Sequence, residues 1–347
     1  MKKIYIDTSF TLKTSKTGIG VYVYTLFEAI KKKNLDYKTI EFNIPNKIRF
    51  KNVWYKIWLN TFHYFWALIN KPDVIIYPNF IMPFFKRKET KYITVIHDLC
   101  CFRENEMPKN TKNIFARETL NTINRADTII TVSKTIKQEL IDKFNVNPDR
   151  IKVVHNAIAD YFIGFEDKPE LLEKYKVKDK KYILSVATLN KRKNIPELIK
   201  AFESISDKYP DIKLILVGGM GNEQKEKLTQ HPNIIFTGYI EDKEIPVLYK
   251  YALMYIFPSI YEGFGTPVME AQYSGTPLIC SDIPIFRDTA GKGAEFCSMD
   301  YKGIAEKIEF LINNPQRREE LIQFEAENVK RFDIDRVAEQ LMEAVNN

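Results

Sequence analysis

The 347-residue sequence has no run of 18 or more apolar residues, so no segment reads as a membrane-spanning helix. Its four cysteines, Cys100, Cys101, Cys280 and Cys297, form neither a CxxC pair nor a Cys/His metal spacing. Reduced, buried thiols fit this pattern, and a disulfide framework does not. The four histidines are scattered, which leaves no zinc site to propose. The N-terminal Met1-Lys-Lys-Ile-Tyr-Ile-Asp7 reaches a charge too soon to hold a signal-peptide core. No fixed-period repeat or low-complexity tract is present. The expectation is a soluble, cytoplasmic protein, or one held peripherally at the inner face of the cytoplasmic membrane.

The remaining composition is that of a packed protein: 45% hydrophobic and 28% charged residues exclude disorder, collagen and coiled coil. At roughly 150 residues per domain the length predicts two domains. Lys+Arg number 52 against 45 Asp+Glu, a net +7, but the charge is uneven. Residues 1–164 hold 27 basic and 15 acidic residues; residues 165–347 hold 25 and 30. A basic half joined to a slightly acidic half points to an anionic partner for the first.

Short β-branched runs alternate with helical patterns along the whole chain. Lys3–Asp7, Lys38–Phe42, Val74–Tyr77, Tyr92–His97, Thr128–Val132 and Ile151–Val154 read as strands, with helical spacing over Gly20–Lys32, Val53–Ile69, Asn110–Arg125 and Ser133–Lys143. A second series follows: Tyr182–Val186, Lys213–Val217, Ile234–Thr237, Met254–Phe257, Pro277–Cys280 and Ala294–Cys297. Two doubly wound parallel-sheet halves are predicted, with ligands at the carboxyl ends of the strands and a cleft between the halves. The expected domains are 1–164 and 165–330, with a C-terminal helix over 331–347 packing back towards the first.

The segment Phe257-Pro-Ser-Ile-Tyr-Glu-Gly-Phe-Gly-Thr-Pro-Val-Met-Glu270 leads from a strand through Gly263 and Gly265 into a helix. Thr266 is suited to the cap and Pro267 to the first helical position. Amides at such a start form a phosphate site. Glu262 on the loop and Glu270 one turn into the helix are carboxylates able to accept the hydroxyls of a diol. Two nearby glutamates alone would read as solvated surface; the glycines and the preceding strand favour a site.

This pattern resembles the retaining nucleotide-sugar glycosyltransferases of family four (glycosyl transferases group 1), whose fold is GT-B: two Rossmann-like domains facing each other across a cleft. Their E-G-F-G-x-P-x-x-E signature is matched by Glu262, Gly263, Phe264, Gly265, Pro267 and Glu270. The resemblance implies that Glu270 holds the donor's ribose hydroxyls and Glu262 the hydroxyls of its sugar. It also implies that the amides from Gly265 through Thr266 and Pro267 to Val268 border the diphosphate. Leu184-Ser-Val-Ala-Thr-Leu-Asn-Lys-Arg-Lys-Asn194 is similar to the family's basic strand-to-helix turn, with Asn194 as its cap. Arg192 and Lys193 would neutralise the leaving diphosphate. Thr188 stands where many relatives carry a further Arg.

Gly18 and Gly20 follow the first strand and are half a dinucleotide fingerprint, with Val23 in place of its third glycine, so a nicotinamide cofactor is poorly supported. The resemblance sets these glycines near the donor diphosphate. It sets Gly218 and Tyr239 near the base, and His97 with Asp98 near the donor sugar. Asp98 has a second reading as a cap of the next segment. Asp333-Ile-Asp335 has a metal-binding form, but its place before a helical run makes capping the better account. No cofactor and no metal is expected.

All three tryptophans lie in Asn46–Lys71, which is basic at its start. Trp54, Trp58, Phe62 and Phe65 recur at helical spacing, which fits a core-packing helix. The same residues fit a helix lying in an anionic membrane interface. No nucleic-acid motif accompanies the charge. The resulting expectation is transfer of a hexose, with retention, from a nucleotide diphosphate sugar to a glycan or lipid-linked glycan in bacterial surface polysaccharide assembly. A nucleotide-sugar epimerase of the same fold and a non-catalytic subunit of a glycan-assembly complex are the rivals.

Overall fold

Runs such as Val74–Tyr77 are apolar on both faces of a strand, a pattern that only a sheet covered on both sides can bury. The computed structural model describes residues 2–9, 18–42, 51–103, 109–187, 191–219, 229 and 231–346. Among these, the strands form two six-stranded parallel sheets in two compact units, residues 1–157 with 332–347 and residues 158–331.

The N-terminal unit contains β1 (Ile4–Asp7), β2 (Tyr37–Ile40), β3 (Val74–Tyr77), β4 (Lys91–Ile96), β5 (Thr128–Thr131) and β6 (Ile151–Val153), in the order β2-β1-β3-β4-β5-β6. Every pair is parallel, with Ile4 opposite both Tyr37 and Val74. The chain turns back at β1, so the switch point of this sheet lies between β1 and β3. The connections run through α1 (Gly18–Lys32), α2 (Lys51–Asn60), α3 (Phe62–Asn70), α4 (Lys109–Arg125) and α5 (Lys134–Phe144). Right-handed crossovers set α1 on one face and the other four helices on the opposite face. An ion pair between Lys56 of α2 and Glu118 of α4, at 2.8 Å, joins neighbours on that second face.

The single helix expected over Val53–Ile69 is two helices, broken at Thr61. Their core stripe is Tyr55, Leu59, His63 and Ala67, whereas Trp54, Phe62 and Phe65 of the expected core stripe face solvent. Aromatic residues occupy both sides of these helices, so periodicity could not tell the inner side from the outer.

The second unit contains β7 (Lys181–Val186), β8 (Ile212–Val217), β9 (Ile234–Gly238), β10 (Met254–Phe257), β11 (Leu278–Ser281) and β12 (Glu295–Cys297), ordered β12-β11-β10-β7-β8-β9 and parallel throughout. Its helices are α6 (Leu171–Lys174), α7 (Ile195–Ser206), α8 (Ile245–Lys250), α9 (Thr266–Tyr273), α10 (Pro284–Ala290), α11 (Tyr301–Asn313) and α12 (Pro315–Asn328). Alternation along the strands divides the interior in two. Tyr182, Leu184, Tyr255 and Phe257 enter one core, while Ile183, Leu214, Met254 and Ile256 enter the other. The switch point lies between β7 and β10.

The boundary between the units falls at Ala157, earlier than the expected 164. A 3-10 turn over Asp160–Phe162 buries Phe162 in the second unit's core, which draws Ile158–Gly164 with it. At the other end, α13 (Ile334–Asn346) packs against α1 and β6 and belongs to the N-terminal unit. It buries Val337, Ala338, Leu341, Ala344 and Val345, a single helical stripe. Asp333 accepts the amide of Asp335 at 3.3 Å, the capping role that its position suggested. Lys91 reaches the Ala344 carbonyl at 2.7 Å, and the His155 amide reaches Gln340 Oε1 at 2.9 Å. Leu341→Ala should destabilise the N-terminal unit by about 2–4 kcal/mol, read as a lower urea midpoint in equilibrium unfolding.

Candidate active site

The carboxyl ends of β7 and β10 adjoin, and the loops leaving them are tied together. The Ile260 amide donates to the Arg192 carbonyl at 2.9 Å, and Ser259 Oγ lies 3.1 Å from the same carbonyl oxygen. The tie brings Lys193 Nζ to 2.5 Å from Glu262 Oε1, with Arg192 Nη1 3.7 Å from Oε2. Ser259 Oγ donates its hydrogen to Glu262 Oε1, at 2.5 Å. Lys193 also lies over the Phe257 ring, 4.8 Å from its centroid. Glu262 is buried, so the cations and the serine replace the water that a carboxylate requires. Ser259 carried no signal in the sequence beyond standing three residues before Glu262.

Gly265 is left-handed, with φ +87°, and a Cβ there would meet Phe286 at 2.8 Å. It occupies the cap of α9, so the helix starts at Thr266, one position earlier than expected, and Pro267 follows. The cap position needs a positive φ, which only glycine adopts without strain, and the missing Cβ leaves room for Phe286. Thr289 Oγ1 holds the Phe264 carbonyl at 2.6 Å. The Val268 amide donates to the Gly265 carbonyl at 2.9 Å, which withdraws it from the amides expected at a diphosphate. Asn194 holds the cap position of α7 with φ 56°, but its side chain donates to the Met299 carbonyl at 2.7 Å instead of capping. Thr188 lies outside the described residues.

Glu270 has a different setting. It is buried in α9 with Tyr249 Oη 3.2 Å from Oε2 and Tyr161 Oη 3.5 Å from Oε1. Burial pushes its pKa up to about 7, against the opposing pull of the two phenol hydrogen bonds. Burial also holds both phenols above the ordinary tyrosine value, so they remain donors. Stability from the protonated carboxyl is therefore full below pH 4.5 and is lost as pH rises through about 7. Tyr161 comes from the segment joining the two series of strands and Tyr249 from α8; neither lies in a motif.

At the ends of β8 and β9 the Gly218 amide donates to the Gly238 carbonyl at 3.0 Å. Tyr239 is 76% exposed, and its ring covers Gly219 so closely that a Cβ there would lie 2.4 Å from it. A flat aromatic face therefore stands on bare backbone at this rim.

In the N-terminal unit, His97 follows β4. Its Nε2 is 2.7 Å from the Pro78 carbonyl, and its ring meets Tyr22 edge-on at 5.0 Å. Burial lowers its pKa, which favours the neutral ring. A carbonyl can only accept, so Nε2 carries the hydrogen and Nδ1 keeps its lone pair. Asp98 Oδ1 accepts the Cys100 amide at 3.0 Å and so shapes the following turn, in line with its second reading. Gly18 opens α1, and Gly20 lies in its first turn.

The chain matches the family models Glycosyl transferases group 1 over residues 167–327 and Glycosyltransferase Family 4 over residues 14–160. It is 32% identical over 240 residues to O-antigen chain mannosyltransferase B of Escherichia coli, an alignment covering 65% of this chain and 61% of that protein. The chain thus spans less than two thirds of this relative's length. Its fold resembles that of sucrose-phosphate synthase from Thermosynechococcus elongatus, with a TM-score of 0.76 over 99% of this chain and 98% of that one at 18% identity. It also resembles Anabaena Alr3699/HepE, solved in complex with UDP and glucose, with a TM-score of 0.74 over the whole of both chains at 15% identity. The shared architecture is GT-B.

The Lys193–Glu262 pair yields a test by double-mutant cycle. Lys193→Met and Glu262→Gln should each lower unfolding free energy by about 1–3 kcal/mol, and the double variant should lose less than their sum.

Proposed function

The chain belongs to the group 1 glycosyltransferases, and from that premise we propose that it moves a hexose from a nucleotide diphosphate sugar to a glycan or lipid-linked glycan acceptor, with retention of anomeric configuration. The setting proposed is bacterial surface polysaccharide assembly, in keeping with the name of the Escherichia coli relative, and we place it on the cytoplasmic side of the membrane as part of the same proposal. Among the described residues, no helix is long and apolar enough to cross a membrane. The observation that carries the reading is the contact of buried Glu262 with partly buried Lys193 beside the Gly265-capped start of α9.

In this reading the donor diphosphate competes with Glu262 for Lys193 and Arg192. Their charge, with the helix start, stabilises the departing diphosphate as the anomeric bond breaks, an electrostatic form of catalysis. Glu262, released from part of its cation contact, accepts hydroxyls of the sugar. The acceptor hydroxyl attacks from the face that the diphosphate leaves, and a diphosphate oxygen takes its proton. Glu270 accepts the ribose diol, and Tyr161 and Tyr249 keep its carboxyl in position. Gly218 and Tyr239 border the base, the Tyr239 ring offering a stacking face. Gly18 and Gly20 are assigned to backbone approach to the donor, and His97 to accepting a hydroxyl of the donor sugar at Nδ1. No cofactor or metal enters the scheme.

A diol donates to a carboxylate, so binding of nucleotide sugar should require ionised Glu270. With a pKa of about 7 in the free protein, affinity should be flat above pH 7 and fall up to about tenfold per unit below it. Calorimetric titration with an intact nucleotide sugar, whose diphosphate does not titrate there, measures this, and Glu270→Gln should abolish the slope. A thermal-shift screen of UDP-, GDP- and dTDP-sugars identifies the donor class.

Glu270→Ala should weaken nucleotide-sugar binding by about tenfold or more. Lys193→Ala should lower kcat by about a hundredfold with a smaller change in donor affinity. Wild-type transfer rates in both variants would remove the assignment, and conversion of donor with no acceptor present would favour the epimerase.

A further inference from the structure

A helix covering a sheet normally turns its apolar stripe inward and a polar face to water. The helices α2 and α3 are apolar on both sides. While Tyr55 and Leu59 fill the interior, Val53, Trp54 and Ile57 of α2 are exposed on the other side. In α3, His63 and Ala67 are buried, but Phe62 is 64%, Phe65 61% and Ile69 79% exposed. The loop after β3 adds Phe84 and Phe85, both exposed, with rings 5.4 Å apart. The Phe84 amide is held at 2.8 Å by Asn60 Oδ1, at the end of α2, so this aromatic pair joins the corner where Phe62 begins α3. The apolar surface is therefore continuous across three segments of the chain, and none of it is used by the fold or by the proposed chemistry. Patches of this kind are interaction sites.

The charge around it selects the partner. Residues 47–91 contain nine Lys and Arg against two acidic residues. Arg125 lies over the Phe84 ring at 4.9 Å, and Lys71 and Lys88 are exposed beside α3 and the Phe84–Phe85 loop. The nearby carboxylates of Glu118 and Asp127 are matched by Lys56 at 2.8 Å and Lys86 at 2.6 Å. The exposed rings stand on the outer faces of two helices and on the adjoining loop. Apolar and aromatic groups with a predominantly basic rim, in which Glu89 pairs with Arg87 at 3.4 Å, match the headgroup region of an anionic bilayer. Rings enter at the acyl boundary while cations meet lipid phosphates.

We propose that the outer faces of α2 and α3, with Phe84 and Phe85, dock the N-terminal unit onto an anionic lipid bilayer. The lipid-linked acceptor reading gives this surface a purpose, but the docking uses none of the transfer chemistry and is tested without it. The full chain is mixed with phosphatidylcholine vesicles containing about one-third phosphatidylglycerol, and binding is followed by sedimentation and tryptophan emission. The wild type should sediment with these vesicles at low salt and dissociate as salt rises. Its emission should shift to the blue, and much of that shift should be lost in Trp54→Phe. Phe62→Asp with Phe65→Asp should reduce partitioning by about tenfold or more. Lys71→Glu with Lys88→Glu should reduce it on anionic but not on neutral vesicles.

Both double variants should keep the wild-type thermal shift with nucleotide sugar, which separates lost docking from lost folding. Failure of the wild type to sediment at low salt, or undiminished binding by the Phe62/Phe65 variant, overturns the proposal. So does a dimer in sedimentation velocity that the Phe62/Phe65 variant dissolves while vesicles remain unbound, since the patch would then be a self-association face.

Discussion

The second unit is organised around one largely buried charge pair. Lys193 and Glu262 come from the connections after two adjacent strands. Their contact at 2.5 Å, the Ser259 hydroxyl and the Ile260–Arg192 backbone bond fasten the loops together. Burying Glu262 without the cation would leave a carboxylate stripped of water, so the pair holds the loop geometry as well as neutralising itself. In the proposed reaction that arrangement has a second use. A cation already desolvated and held in place needs little reorganisation when a diphosphate takes over from the carboxylate.

Glu270 shows how differently two glutamates on one segment can be set. Glu262 faces two cations, whereas Glu270 faces two phenols in an apolar surround. Tyrosine hydroxyls offset only part of the cost of removing a carboxylate from water, and its pKa rises to about 7. The free protein thus carries a destabilising group at neutral pH, which a bound diol would relieve.

The N-terminal unit places its informative residues at two separate locations. His97 stands at the carboxyl end of β4, fixed in one tautomer by the Pro78 carbonyl and packed on Tyr22. The exposed aromatic residues lie instead on helices covering the sheet face. Most surface helices avoid such exposure because isolated apolar patches promote association. Here the exposed rings are combined with a basic rim, and the surplus of positive charge in this half of the chain is concentrated in the same stretch.

Much of this was legible in the sequence. The described strands fall on the runs read as strands, the central ones, such as Val74–Tyr77, being apolar on both faces as a doubly covered parallel sheet requires, and the spacing from Glu262 to Glu270 marks a loop entering a helix. The cap falls on Gly265, where a Cβ would meet Phe286, a residue distant in sequence, and not on Thr266. Ser259, Tyr161 and Tyr249 carried no local signal, since their roles arise only where folding brings them to a carboxylate. Periodicity identified two faces on the segment around Trp54 but not which face turns inward. What the sequence alone determined was the order and type of elements and the chemical character of the acids and bases, because these rest on local pattern. Only the tertiary structure decided which partners each charge meets and which aromatic face is left to solvent, because burial and pairing are properties of residues far apart along the chain.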